Sequence, residues 1–169
     1  MRSYVASLRS PPHRPGTGTR PDTSHLEPLI TALPRRVDDA SWQSAEAYIV
    51  GFDLLESGYA WEAHEVWEAA WRRTRPQSRE YYLLRALIQI ANASLKRHLG
   101  HDRAAARIWP LALDDLQLAS GPDAVLGFAP ERIADLVRGN ANGTTTELPK
   151  RPNSRRLDAG FSKLHHNTY

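Results

Sequence analysis

The chain has 169 residues, 41% of them hydrophobic, with 22 basic side chains against 19 acidic ones and no cysteine. That length supports one core and leaves no room for two ordinary domains. No apolar run approaches the roughly 18 residues needed to span a bilayer, so a soluble protein without a membrane partner is expected. Disulfides, thiolate nucleophiles and cysteine zinc sites are excluded, which leaves histidine and carboxylate as metal ligands.

The net charge of +3 is concentrated at the ends. Arg2, Arg9, Arg14 and Arg20 precede the first acid, Asp22, and Lys150, Arg151, Arg155, Arg156 and Lys163 crowd the other terminus. With no recognition motif between them, a specific nucleic-acid partner is not expected. Residues 1–24, with Pro11, Pro12, Pro15 and Pro21 beside Gly16 and Gly18, read as a disordered basic tail. An acid-free, Arg- and Ser-bearing start also fits an organelle transit peptide. The prolines oppose the amphipathic helix such a peptide forms, so a cytoplasmic location is the expectation.

Apolar residues between the ends recur with a 3.6-residue period, and no strand pattern appears. The predicted class is all-α: a single bundle of about four to six helices over 25–138, with its core at about 41–119. A short helix is predicted over 25–33, ended by Pro34. The next runs from Ser41 or Ser44, as N-cap, to Glu56, with Gly58 suited to a left-handed C-terminal cap. A helix over 59–73 and another over 78–99, the latter capped by Ser78 and stopped at Gly100, form an antiparallel hairpin at the centre. Asp102 is placed to cap a helix to about 119, kinked or split at Pro110, and Pro130 opens a last one to about 138. From 139 to 169 a polar, turn-forming stretch reads as a second disordered tail.

The chemistry concentrates in GYAWEAHEVWEAAWRR, residues 58–73. At 100° per residue, Trp61, Trp67 and Trp71 fall in one half of this helix with Ala60, Ala63, Ala70, His64 and Glu68. That predicts His64 and Glu68 shielded between Trp61 and Trp71, Glu62 pointing to solvent and Glu65 on the border. A shielded carboxylate requires a partner. On the next helix Arg85, Gln89, Asn92 and Lys96 form one polar stripe, and antiparallel pairing sets Trp71 against Tyr81 or Tyr82, Glu68 against Arg85, His64 against Gln89 and Trp61 against Asn92.

Three readings stay open. In the first, Glu62, His64, Glu68, Arg85, Gln89 and Asn92 belong to a structural polar network that fixes the register of the bundle. In the second, His64 and Glu68 ligate a divalent metal, zinc or manganese, and Glu65 acts as the catalytic base; HEVWE matches half of the HExxH helix of zinc peptidases, with Glu68 in place of the second histidine. His101 or Asp102 would have to supply a further ligand if Glu65 does not. In the third, the aromatic face is a groove for a partner protein or a small molecule. His98 and His101 read as exposed loop residues, and His165 and His166 belong to the tail.

The order Gly58, Glu62-Ala63-His64-Glu65, Glu68, Trp71, then Ala86-Leu87-Ile88-Gln89 and the break at Gly100 resembles the DUF309 family over about 53–118. The resemblance implies a small all-helical protein of unassigned function, in a family classified as predicted metal-dependent hydrolases. It marks His64, Glu65 and Glu68 as signature residues, with Glu62 before them and Gln89 on the following helix. The chain departs from the family pattern at Glu56, where a small polar residue is common, and at Ala60, where an aromatic is usual; Tyr59 carries the aromatic instead. The resulting expectation is a DUF309-like protein, either a metal-dependent hydrolase or a non-catalytic binding module.

Overall fold

The longest helix forms where the sequence offers its clearest start and stop. In the computed structural model, which describes residues 4–8, 10–16 and 22–152, α4 (Arg79–His98) begins at Ser78, whose hydroxyl accepts the Tyr81 N–H at 3.2 Å. It ends at Gly100, φ +75°, where the His101 N–H reaches back to the Lys96 carbonyl at 2.8 Å. That i to i−5 closure needs a left-handed residue, which only glycine adopts freely. The same device ends α2 (Glu46–Glu56): Gly58 has φ +86° and the Tyr59 N–H bonds the Leu54 carbonyl at 2.8 Å.

The remaining helices are α1 (Glu27–Thr31), α3 (Ala60–Trp71), α5 (Asp102–Ala119) and α6 (Pro130–Ala141), and no strand is present among the described residues. The all-helical class is as expected, but three local expectations are corrected. Neither Ser41 nor Ser44 caps α2; a 3₁₀ turn, Trp42–Ser44, intervenes to bury Trp42, and Ala45 occupies the cap position. The Ser41 hydroxyl is engaged with the Arg36 carbonyl at 2.8 Å and the Asp38 carboxylate at 2.9 Å. Asp102 lies in the first turn of α5, where it complements the helix dipole, and His101 is the cap residue. Pro110 does not split α5, which runs through it unbroken. Both Pro110 and Ala106, whose carbonyl loses its donor, are exposed, so that carbonyl is open to solvent.

α4 is the central element. It packs most extensively on α5 and next on α3, while α2 closes over α3 and α6 over α5. No helix is long and apolar enough to cross a membrane among the described residues. The α2–α3 contact is unusually close: the indole of Trp67 lies against Gly51 and donates its N–H to the Tyr48 carbonyl at 3.0 Å. Tyr48 in turn donates its hydroxyl to the Leu126 carbonyl at 2.9 Å, and Asp39 accepts the Leu126 N–H at 2.5 Å. Leu126 needs both contacts because it sits at φ +47°, inside a tight turn with Gly127 that joins α5 to α6. Burial, against the Leu126 hydrogen bond, raises the Asp39 carboxyl, and burial beside Asp39 raises the Tyr48 phenol well above its ordinary range.

The terminal segments lie against this body over their described residues. Tyr4–Ser7 forms a 3₁₀ turn, the Tyr4 hydroxyl donates to the His25 carbonyl, and Tyr59 donates to the Ser10 carbonyl. At the other end α6 extends to Ala141, past the expected boundary. Arg151 then pairs with Asp53, and the Asn140 side chain donates to the Glu147 carbonyl at 2.6 Å. The segment 153–169, with His165 and His166, is outside the described residues.

A methyl group added at Gly51 would lie 2.3 Å from the Trp67 indole nitrogen. Gly51→Ala should therefore destabilise the protein by about 1–3 kcal/mol, the usual cost of overpacking. Urea unfolding measures this directly, and an unchanged midpoint would show that the α2–α3 contact is not tight.

Candidate metal centre

The buried face of α3 is made by Ala60, Glu62, Ala63, Val66, Trp67 and Ala70. This corrects the helix orientation expected from the tryptophans. Trp61 and Trp71 stand at the edges, half-buried, and the small side chains mark the interface, because alanines let neighbouring backbones approach. Trp67 alone of the three is fully buried.

Two placements follow from that rotation. Glu62, expected in solvent, is 3% exposed; its Oε1 accepts the backbone N–H of His13 at 2.9 Å, and Oε2 has no hydrogen-bond partner among the described residues. His64 and Glu68, expected in the most shielded position, are on the open side. Their side chains and that of Glu65 are 22–33% exposed, so solvation alone supports their polarity.

The structure brings His64, Glu65 and Glu68 together: one donor atom from each lies within 4.8 Å of the others. The i, i+1, i+4 spacing places them on adjacent turns of one helix. His64 Nδ1 is 3.3 Å from Glu65 Oε1, and Glu68 Oε1 accepts from Arg72 at 2.6 Å. The ring of His13 meets Trp61 edge-on at 4.8 Å, so the N-terminal segment borders this side of the helix.

Arg85, Gln89 and Asn92 are not joined to the cluster. The expected Glu68–Arg85 pair is replaced by two others: Glu68 with Arg72, and Arg85 with Asp115 on α5, where Nε donates at 2.9 Å and Nη2 also contacts the same oxygen. Asp115 is buried and requires a charged donor. Glu68 is half-exposed and finds one at i+4 in its own helix. The Asp115 hydrogen bonds raise the Arg85 guanidinium further above its usual range. His64 meets Glu65 and not Gln89 or Asn92, both of which form part of a half-buried stripe with Arg85 and Lys96. Trp71 does meet Tyr81 as the antiparallel register requires, with centroids 5.0 Å apart, and the Arg85 guanidinium lies over the Tyr81 and Tyr82 rings. His98, His101 and Asp102 are exposed at the α4–α5 junction and are not in the His64 group.

Sequence reasoning misses Asp115, although a signal exists. It falls on the apolar stripe Ala105, Trp109, Ala112, Leu116 and Ala119 of α5, where an acid must have a partner. His13 carried no such signal, since its contact with α3 joins segments 49 residues apart.

These placements separate structural from open groups. Asp115→Ala should lower stability by about 1–3 kcal/mol by stranding Arg85, which is itself partly exposed. His64→Ala and Glu68→Ala should each cost under about 1 kcal/mol, as exposed polar contacts do. Chemical denaturation of the three variants checks this ordering, and a larger loss at His64 than at Asp115 would reverse the assignment.

Residues 48–108 match the model of the DUF309 family, described as a domain of unknown function. No curated protein and no solved structure matches the chain. The matched span runs from α2 through α3 and α4 into α5 and contains the whole His64, Glu65 and Glu68 group. The resemblance read from Gly58 to Gly100 is thus carried by the family model, which matches residues 48–108 of this chain.

Proposed function

We propose that His64 and Glu68 hold a divalent cation on the open side of α3, with Glu65 beside them as the proton acceptor, and that the domain is a metal-dependent hydrolase. The observation that carries this reading is the convergence of three donors of metal-ligating type within 4.8 Å at a half-exposed position. One imidazole and one carboxylate suit zinc or manganese, and two protein ligands leave the remaining coordination positions to water and substrate.

The chain's own groups divide the work. His64 and Glu68 are the principal ligands. Glu65, beside His64 Nδ1, orients the imidazole so that Nε2 can face the ion. The same carboxylate is the group placed to take a proton during hydrolysis. A bound divalent ion supplies Lewis acidity and lowers the pKa of a coordinated water. Arg72 opposes binding while it holds Glu68, but its side chain is 69% exposed and swings away at small cost.

The network reading has less support because Glu68 pairs with Arg72 and Arg85 with Asp115. A non-catalytic binding module is supported by a different feature, the half-buried row of Trp71, Tyr81 and Tyr82 with Arg85 stacked on it. That reading requires no metal.

Elemental analysis of protein purified without a histidine tag should find close to one divalent ion per chain. His64→Ala and Glu68→Ala should each weaken binding by more than about tenfold. Glu65→Gln should retain the ion and lose hydrolysis of activated ester and phosphodiester substrates. Metal-free protein after dialysis against zinc and manganese would exclude the site and leave the binding-module reading.

A further inference from the structure

We infer that the outward face of α5 is an interaction surface for a second copy of this chain, the two helices packed antiparallel about a two-fold axis beside Leu111. It involves no residue of the His64 group. The large apolar side chains exposed among the described residues are Leu111, at 49%, and Leu118, at 53%. Exposed leucines scattered singly are ordinary, but these two lie seven residues apart on one stripe of one helix. At about 100° per residue, Arg103, Arg107, Leu111, Asp114 and Leu118 fall within about 80° of one another. They occupy the side of α5 turned away from its buried residues Ala105, Trp109, Ala112, Leu116 and Ala119.

The charges on this stripe make the face its own complement. Arg103, Arg107 and Asp114 are exposed and form no ion pair among the described residues. Arg103 and Arg107 are like charges at i, i+4 spacing, and Arg103 stands in the first turn, where a cation opposes the helix dipole. A facing acid relieves both. Arg107 precedes Leu111 by four residues and Asp114 follows it by three. A two-fold axis midway between them sets Arg107 of each copy against Asp114 of the other, brings the two Leu111 side chains together, and lays each Leu118 along the aliphatic stem of the other copy's Arg103. Two ion pairs, about 10 Å apart along the helix, then flank an apolar contact and shield it from water.

The chain's own C-terminal segment is the competing occupant, and its charge fits less well. Residues 153–169 carry Arg155, Arg156 and Lys163 against one acid, Asp158, and would set like charge against Arg103 and Arg107. The last described residues lie on other elements: Arg151 pairs with Asp53 on α2, and Pro152 is buried beside Gly127 in the α5–α6 turn. One helix crossing is below the size of a standard interface, so the dimer is a weak, reversible one.

Sedimentation velocity of the full chain, from low micromolar to near-millimolar concentration, tests the assignment. The mass should rise from that of one chain toward that of two. Leu111→Glu should weaken association by about tenfold or more, as loss of a central interface contact does. Arg107→Glu and Asp114→Lys should each do the same, because each sets like charges face to face at both ends of the contact. All three positions are exposed, so circular dichroism should find the helical fold unchanged. An equimolar mixture of the two charge variants should dimerise again, since each introduced acid then faces an introduced base and each retained Asp114 a retained Arg107. A chain that stays monomeric throughout would overturn the proposal and leave the face to solvent or to residues 153–169. Dimerisation that survives any of the three substitutions, or that the mixture fails to restore, would overturn it as well.

Discussion

The contact of Trp67 with Gly51 determines how α3 is rotated, and most of the functional geometry depends on that angle. The indole fills the space left by the missing Cβ, and its N–H bonds a carbonyl of the facing helix. A hydrogen-bonded, fully buried tryptophan is difficult to turn out, because both its large apolar area and its donor would have to be satisfied elsewhere. With Trp67 directed at α2, Ala63, Val66 and Ala70 follow into the core, and Glu62 enters beneath the N-terminal segment. His64, Glu65 and Glu68 are turned toward solvent by the same rotation.

α3 thus separates two kinds of acidic chemistry on one helix. The open side has carboxylates that water and nearby arginine satisfy, so their geometry is adaptable and accessible to an ion. The closed side has one carboxylate oxygen held by a backbone N–H and another without a donor. Burial makes the second environment less adaptable, since a carboxylate there depends on the donors the fold supplies.

Partner choice among the charges follows the same principle. Asp115 and Glu68 both lie within the reach of arginines, but only Asp115 is buried. Arg85 is drawn across to α5, and Arg72 serves Glu68 locally. The hairpin register inferred from counting is nonetheless correct at its closed end, where Trp71 meets Tyr81. Register along two helices and rotation about one axis are separate quantities. The short turn constrains the first and leaves the second free.

The sequence by itself determined the helical class, the approximate helix spans, the Ser78 cap and the glycine stops at Gly58 and Gly100, because these depend on backbone chemistry within a few residues. It also determined that Glu68 neighbours both His64 and Glu65, since it lies four residues from one and three from the other, the spacings that bring side chains together on any α-helix. Only the tertiary structure decided which way that group faces. Three tryptophans and four alanines gave α3 two plausible apolar sides, and the choice was made by the fit of Trp67 to a glycine sixteen residues earlier. Burial of Glu62 was equally illegible, because the segment that covers it is 49 residues away in the chain and has no periodic pattern to announce the contact.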